Sequence, residues 1–106
     1  MAILVISEEI EENGIIIRNL GIYKDTYEET EFLEKKFREL QSALPKRNKQ
    51  IEIDKTRVTV YPFTFKVRYP SKKREQATKD IRFVAATIGL EIRFEKKEEE
   101  ERWGKT

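Results

Sequence analysis

The sequence predicts an α+β two-layer sandwich, in which two helices cover one face of a mostly antiparallel sheet. Three observations support this fold class. An Asn13-Gly14 turn separates two apolar runs, two segments carry an apolar stripe at helical spacing, and later runs alternate as strands do. The element order is β-β-α-β-β-α-β. Each helix stripe needs an apolar surface to cover, and a sheet with one apolar face provides it.

The first predicted element is a long hairpin, with strands near residues 2–11 and 15–24. Asn13 and Gly14 both tolerate the positive φ that a type I′ turn requires. Pairing outward from this turn places one charge pair among apolar neighbours. The opposed residues are Glu12 and Ile15, Ile10 and Ile17, Glu9 and Arg18, and Val5 and Ile22. A helical turn over residues 8–13 is the alternative, and it would shorten both strands.

The first helix is predicted to begin at Thr26 and to end near Ala43. Thr26 and Glu29 have the spacing of a capping box, and Pro45 should stop the helix. Its apolar stripe consists of Leu33, Phe37, Leu40 and Leu44. A basic loop over residues 45–50, a short strand over 50–53 and a turn over 54–56 are expected next.

A strand is predicted over residues 57–69, in which Pro62 implies either an edge position or a bulge. A one-residue bulge there would explain why the apolar face changes at Pro62. The second helix follows Pro70 and Ser71, and Gly89 ends it. Its buried stripe should be Ala77, Ile81, Val84, Ala85 and Ile88. A last strand runs from Leu90, so residues 1–95 form one domain. Residues 96–106 form a charged tail, either a solvated helical extension or a frayed end.

The composition excludes several classes of chemistry. The 106 residues contain neither Cys nor His, which removes thiolate and imidazole metal sites and the common catalytic triads. The acidic groups lack the pattern of a metal-dependent nuclease. We therefore expect no enzyme activity, no metal and no cofactor.

The apolar runs are too short for a membrane span, so we expect a cytoplasmic protein with no membrane partner. Charged residues make up 40% of the chain and are mostly Lys, Arg and Glu. This composition is typical of proteins from hot environments, which predicts a thermophilic source, archaeal or viral.

Charge is concentrated in a basic block, residues 45–82, which holds twelve basic and four acidic side chains and so carries +8. Residues 1–44 carry −5 and residues 83–106 carry −1, which together with the block returns the net charge of +2. Such polarisation can attract a polyanion and orient it. An anionic partner is therefore predicted.

The leading candidate site is the junction between the long strand and the second helix. Cations in a first helical turn oppose the helix dipole, but cations and free amides together suit a phosphate. The alternative is that the helix begins near Glu75 and leaves a solvated basic loop. The junction residues are Lys66, Arg68, Ser71, Lys72, Lys73 and Arg74. The complete predicted phosphate-contacting set is Lys46, Arg47, Lys49, Lys66, Arg68, Lys72, Lys73, Arg74, Lys79 and Arg82.

Aromatic residues offer further candidates. Tyr61, Phe63, Phe65 and Tyr69 alternate with basic residues as in sheets that stack on bases, but burial under the helices is favoured over base stacking. Burial would leave the strand's other side chains, including Lys66 and Arg68, on the open face. Phe83 lies off the buried helix stripe, and the only tryptophan, Trp103, lies in the tail; each either packs on the domain or contacts a partner.

Two functional hypotheses follow from these patterns. The first is a small non-enzymatic protein that binds DNA or RNA through phosphate contacts. The second is a protein-interaction module, such as a regulator or inhibitor from a virus or mobile element. It would dock on a host protein through Phe83 and Trp103, or pair its own acidic part with the basic block of a second copy.

Overall fold

The structure, a computed structural model, describes residues 1–54 and 60–103. It confirms the predicted α+β fold and, roughly, the order of its elements, and it adds a third helix. The strands are β1 (Ile3–Ile6), β2 (Ile10–Glu12), β3 (Ile15–Tyr23), β4 (Glu52–Asp54), β5 (Phe63–Pro70) and β6 (Glu91–Phe94). The helices are α1 (Thr30–Arg47), α2 (Arg74–Thr87) and α3 (Lys97–Trp103), and a 3₁₀ turn (Ser71–Lys73) precedes α2.

The sheet has the strand order β4-β5-β3-β1-β6, and β2 pairs with the first residues of β3. All pairs are antiparallel except β1 with β6. The helices lie on one face, where alternate residues of the central strands are buried. The aromatic side of β5 is on this face, since Phe63, Phe65 and Tyr69 are buried. Tyr61, which precedes the strand, is exposed, so its predicted burial is wrong. The prediction that helices cover these aromatic residues is therefore confirmed for the strand itself.

The predicted hairpin register is correct beside the turn and wrong beyond it. Asn13 has a φ of 51° and Gly14 one of 79°, as the turn requires. Beyond residues 7–9 the pairing slips by one, so that Val5 lies opposite Gly21 and not Ile22. Ser7 stabilises the shifted register, because its hydroxyl accepts a hydrogen bond from the Asn19 backbone amide at 2.8 Å. Residues 10–12 form a strand, which rules out the helical alternative there.

Both predicted ends of the first helix are wrong, although its buried stripe is confirmed. The Glu28 carboxylate accepts hydrogen bonds from the amides of Asp25 and Thr26 at 3.1 and 2.9 Å, so this segment forms a turn before the helix. Pro45 lies inside the last turn of α1. Pro45 removes one helical hydrogen bond and crowds the carbonyl four residues earlier, yet the helix continues for two more residues, to Arg47.

Pro62 does not interrupt a strand in the described part of the chain. β5 begins immediately after it, at Phe63, so the predicted bulge at Pro62 is wrong there. The observed β4 covers residues 52–54, two residues later than the predicted start. Two further predictions cannot be compared, because they lie partly or wholly outside the described residues. They are the turn over residues 54–56, of which only residue 54 is described, and the strand start at residue 57. The same holds for two residues of the basic block, Lys55 and Arg57.

The second helix ends as predicted. Gly89 has a φ of 84°, and the Leu90 amide donates to the Ala85 carbonyl at 2.9 Å. The chain then returns as β6 alongside β1. The segment expected to be a charged tail contains α3, and Trp103 at its end packs against the core.

Candidate functional site

The ten predicted phosphate contacts divide sharply by residue type. Each arginine of this set is engaged with another side chain, whereas Lys79 is the only lysine of the set that forms an ion pair within residues 1–54 and 60–103. The unpaired lysines are Lys46, Lys49, Lys66, Lys72 and Lys73, and all five are exposed. Arginine's planar fork suits fixed partners, whereas lysine is a mobile point charge.

The arginine contacts join separate elements of the fold. Arg47 at the end of α1 donates to Asp80 of α2 at 3.2 Å, and its guanidinium lies 4.0 Å from the ring centroid of Phe83. Arg68 pairs with Asp54 across β5 and β4. Arg82 lies over the Trp103 ring at 5.8 Å. These arginines therefore hold the fold together and are less free to contact a ligand.

Three of the unpaired lysines lie at one end of the molecule, which we call the lysine end (Lys49, Lys72 and Lys73). Lys46 lies apart from them, on a surface groove that it shares with Ile88 after the end of α2. The Ser71 amide donates to the Gly14 carbonyl at 2.8 Å, so the 3₁₀ turn sits beside the hairpin turn. A cleft of about 290 Å³ between β4 and β5 is lined by both Lys49 and Pro70. The loop after α1 and the 3₁₀ turn before α2 thus bring Lys49, Lys72 and Lys73 to the same end of the sheet.

The start of α2 lies between the two predicted alternatives. Lys72 and Lys73 belong to the 3₁₀ turn, and Arg74 is the first residue of the α-helix. Arg74 is held by acids, with its Nη2 2.7 Å from Glu11 and its Nε 3.7 Å from Glu9. The cation at the helix start is therefore neutralised locally, while the two lysines before it are not.

The two aromatic candidates occupy different environments. Phe83 is 52% exposed, with the Arg47 guanidinium over one face of its ring. Trp103 is partly buried against the core and lies near Arg82 and Arg102. The open face of the sheet carries Lys66 as predicted, and it also carries Ile10 and Ile15, which are 56% and 38% exposed.

A second polar site lies on the helix face of the sheet, and only part of it was predicted. Arg18 of β3 is 1% exposed, and its Nη2 donates to Glu9 at 2.6 Å and to Glu99 of α3. Glu9 also faces Arg74, so charges alternate from the buried arginine outward to Glu11 at the surface. We call Arg18, Glu9, Glu99, Tyr69 and Thr78 the Arg18 centre.

The Arg18 guanidinium keeps its positive charge although it is buried. Burial disfavours the guanidinium cation, and Tyr69 together with Glu99 and Glu9 offsets this, so the pKa of Arg18 lies above its ordinary value. Burial raises the pKa of the Tyr69 phenol, which stays protonated. The Arg18 guanidinium also lies 5.8 Å from the ring centroid of Phe94. The site therefore combines a permanent cation with a neutral hydroxyl donor.

A cleft of about 280 Å³ opens beside the two glutamates of the Arg18 centre. Basic and acidic side chains both line it. They include Glu9, Arg74, Lys96, Glu98, Glu99 and Arg102. Arg18 itself does not line the cleft, and Glu9 and Glu99, which contact Arg18, lie between the two.

The sequence carries one signal for this site. Arg18 stands in the alternation of Ile16, Leu20 and Ile22, on the strand face that should be apolar. The register analysis identified its pair with Glu9. Glu99, 81 residues away in sequence, could not be paired with it by any local pattern.

The chain matches no protein-family model and has no significant match among curated proteins or solved structures. Within residues 1–54 and 60–103, no cluster of three or more acidic side chains is arranged to hold a metal ion. None of the helices in that part of the chain is both long and apolar enough to cross a membrane. Inference about function therefore rests on the geometry and charge of the sites described above.

Proposed function

We propose that this protein binds nucleic acid, without enzymatic activity, through the phosphates that contact its lysine end. The observation that supports this most directly is the division between engaged arginines and unpaired lysines. A lysine already paired with a carboxylate gains little from a phosphate, because the ion pair must first be broken. Unpaired exposed lysines release counterions from the nucleic acid at no such cost.

The 3₁₀ turn before α2 strengthens this proposal. Lys72 and Lys73 lie next to each other at the start of a helical segment, and no acidic side chain in the described part of the chain pairs with either. Backbone amides at a helix start attract anions, but the Ser71 amide is already bound to the Gly14 carbonyl, so the two lysine side chains supply most of the attraction. Contacts of this kind position a phosphate backbone but do not read bases, so we expect weak sequence preference.

The test is a salt series of binding affinities for labelled single- and double-stranded DNA and RNA, measured by fluorescence anisotropy. The double variant Lys72→Gln/Lys73→Gln should reduce the slope of log affinity against log salt by about 2 units on B-DNA, because each contact contributes about 0.9. Adding Arg74→Gln should change the slope by clearly less than the about 0.9 of a full contact, because Glu9 and Glu11 already neutralise Arg74.

The matched control is Lys24→Gln/Lys35→Gln, which removes the same charge from positions toward the opposite end of the molecule. Lys24 follows the last residue of β3, and Lys35 lies in the second turn of α1. The control should keep the wild-type slope. Equal slopes for the two double variants would show that net charge alone acts and would remove the lysine end from the proposal.

A second candidate function is self-association through the open face of the sheet. Ile10 and Ile15 are exposed there beside Glu12 on one side, and Lys66 lies on the other side of β3. A two-fold related copy could place the acidic side of one sheet against the basic side of the other. The protein mass, measured across the same salt series, tests this, since a monomer at every concentration contradicts it.

A further inference from the structure

Arg18 uses only part of its hydrogen-bonding capacity. A guanidinium has five N–H donors on three nitrogens, and here Nη2 alone donates to both glutamates. Nε and Nη1 are fully enclosed and have no partner among the described residues. Since Arg18 is 1% exposed, solvent does not reach them directly. Enclosed donors without acceptors are unfavourable, so this arrangement calls for an acceptor.

Two hydroxyl groups belong to the same centre. Tyr69 is the diagonal neighbour of Arg18 across β3 and β5, because Arg18 lies opposite Val67. The Tyr69 and Thr78 hydroxyls are both enclosed and interact with each other, and neither has a further partner within the described residues. The centre thus offers more donors than its own glutamates accept.

The glutamate on α3 is the replaceable member of the centre. Glu99 contributes one oxygen to Arg18, and its Oε1 is enclosed without a partner. α3 has seven residues and buries none of them fully. Besides Glu99, it is held by Glu100, which accepts a hydrogen bond from the Phe94 amide at 3.2 Å, and by Trp103 against the core. Arg82 also lies over the Trp103 ring. None of these contacts pairs two strands, so exchanging them would leave the strand pairing in place.

We propose that the Arg18 centre is a binding site for a phosphate group, which enters through the adjacent cleft and displaces the Glu99 carboxylate from Arg18. A carboxylate has two oxygens, and the one present leaves Nε and Nη1 unpaired. A phosphate group offers more oxygens, arranged tetrahedrally, so that Arg18, Tyr69 and Thr78 can donate to it together. Departure of Glu99 also removes the negative charge that would repel the incoming anion.

The cleft provides an approach for such an anion. Three cations, Arg74, Lys96 and Arg102, line it together with four glutamates, so that the departure of Glu99 would leave three charges of each sign. Glu9 remains in place, because its second carboxylate oxygen faces Arg74. This site is separate from the lysine end and does not depend on the proposed binding of nucleic acid, although Arg74 lies between the two.

The chain carries its own reporter for this event. Trp103, the only tryptophan, lies at the end of α3. Displacing Glu99 loosens α3, so Trp103 should shift its emission to longer wavelength and become more accessible to acrylamide. The experiment titrates the full chain with inorganic phosphate while sodium chloride keeps the ionic strength constant. We expect a saturable change with phosphate and none when acetate replaces it.

A matched pair of variants tests the displacement step. Glu99→Gln keeps the size of the side chain and removes the competing charge, so half-saturation should occur at an about tenfold lower phosphate concentration. Glu101→Gln removes the same charge from the same helix at an exposed position and should leave half-saturation unchanged. If both variants respond alike, or if Trp103 follows ionic strength alone, the proposal is overturned and the Arg18 centre is a structural ion pair.

The wild-type chain allows a direct measurement that needs no variant at Arg18. The guanidinium ¹H–¹⁵N resonances of Arg18 should shift on addition of phosphate with the same half-saturation as the Trp103 signal. Unchanged resonances would contradict the proposal. Titration with a nucleoside monophosphate and with a 5′-phosphorylated oligonucleotide then distinguishes a small phosphoester from a nucleic-acid end by which of the two binds more tightly.

Discussion

Arg18 and Asp80 are the two charged side chains that are buried in the described part of the chain, and their surroundings differ. Asp80 of α2 accepts hydrogen bonds at both oxygens. Its Oδ1 is 3.2 Å from Arg47 Nε and 3.1 Å from Gln76 Nε2, and its Oδ2 is 2.8 Å from Asn48 Nδ2. Arg18 donates through one nitrogen and leaves two without partners. Within the described residues, the chain supplies hydrogen-bond partners for both oxygens of Asp80, but not for all three nitrogens of Arg18.

The location of each group explains the difference. Asp80 lies between α1 and α2, where polar side chains at the end of α1 and one turn away on α2 can reach it. A carboxylate has only two oxygens to satisfy. Arg18 projects from a strand onto the apolar face of the sheet, where neighbouring strands provide mostly hydrocarbon. Its acceptors must come from the segment between β1 and β2, which carries Glu9, and from α3. The comparison indicates a structural clamp at Asp80 and a binding centre at Arg18.

The largest expected effect comes from removing the Arg18 charge. Arg18→Met leaves Glu9 and Glu99, which are only 20% and 12% exposed, without the cation between them. Losing one partner of a buried ion pair is strongly unfavourable, so the free energy of unfolding should fall by about 3 kcal/mol. Denaturant unfolding of the purified variant measures this value.

A triple variant shows whether that loss is due to the stranded acids. Arg18→Met/Glu9→Gln/Glu99→Gln removes all three charges and should recover most of the lost stability, because replacing a whole buried ion pair costs little. No recovery would mean that the Arg18 side chain stabilises the fold through packing, and it would weaken the contrast with Asp80.

An intermediate effect is expected at Asp80. Asp80→Asn keeps the shape but turns one acceptor into a donor that faces other donors. The free energy of unfolding should fall by about 1 to 2 kcal/mol. The matched control is Glu75→Gln, which removes an exposed i,i+4 pair with Lys79 and should cost at most about 0.5 kcal/mol. Equal losses for both variants would show that Asp80 acts no differently from a surface acid.

The two centres also show what could be predicted from the sequence. The fold class, the helix stripes and the register beside Asn13 and Gly14 depend on local periodicity and turn chemistry, and these predictions are correct. The slip at Ser7, the place of Pro45 inside α1 and the packing of Trp103 depend on tertiary contacts. Tertiary contacts also determine the partner of Arg18 on α3 and the division between engaged arginines and unpaired lysines. Composition alone therefore could not indicate which cations remain able to bind an anion.

The smallest effect is expected at Glu28, a carboxylate whose hydrogen-bond donors are backbone amides and the amino group of Met1. It can be compared with Asp80, whose donors are side chains. The Thr26 amide and then the amino group of Met1 lower the pKa of Glu28 from 4.5 to about 2. A lowered folded-state pKa means that ionised Glu28 stabilises the fold above about pH 4.5 and that this contribution is lost as the pH falls toward about 2. Glu28→Gln should therefore be less stable than wild type at neutral pH, and denaturant unfolding should show the difference shrinking as the pH is lowered.

Glu101→Gln, at an exposed position, serves as the control, and its difference from wild type should stay small throughout. A difference for Glu28→Gln that does not change with pH would mean that the side chain acts through its shape, unlike Asp80 and Arg18, which act through their charge.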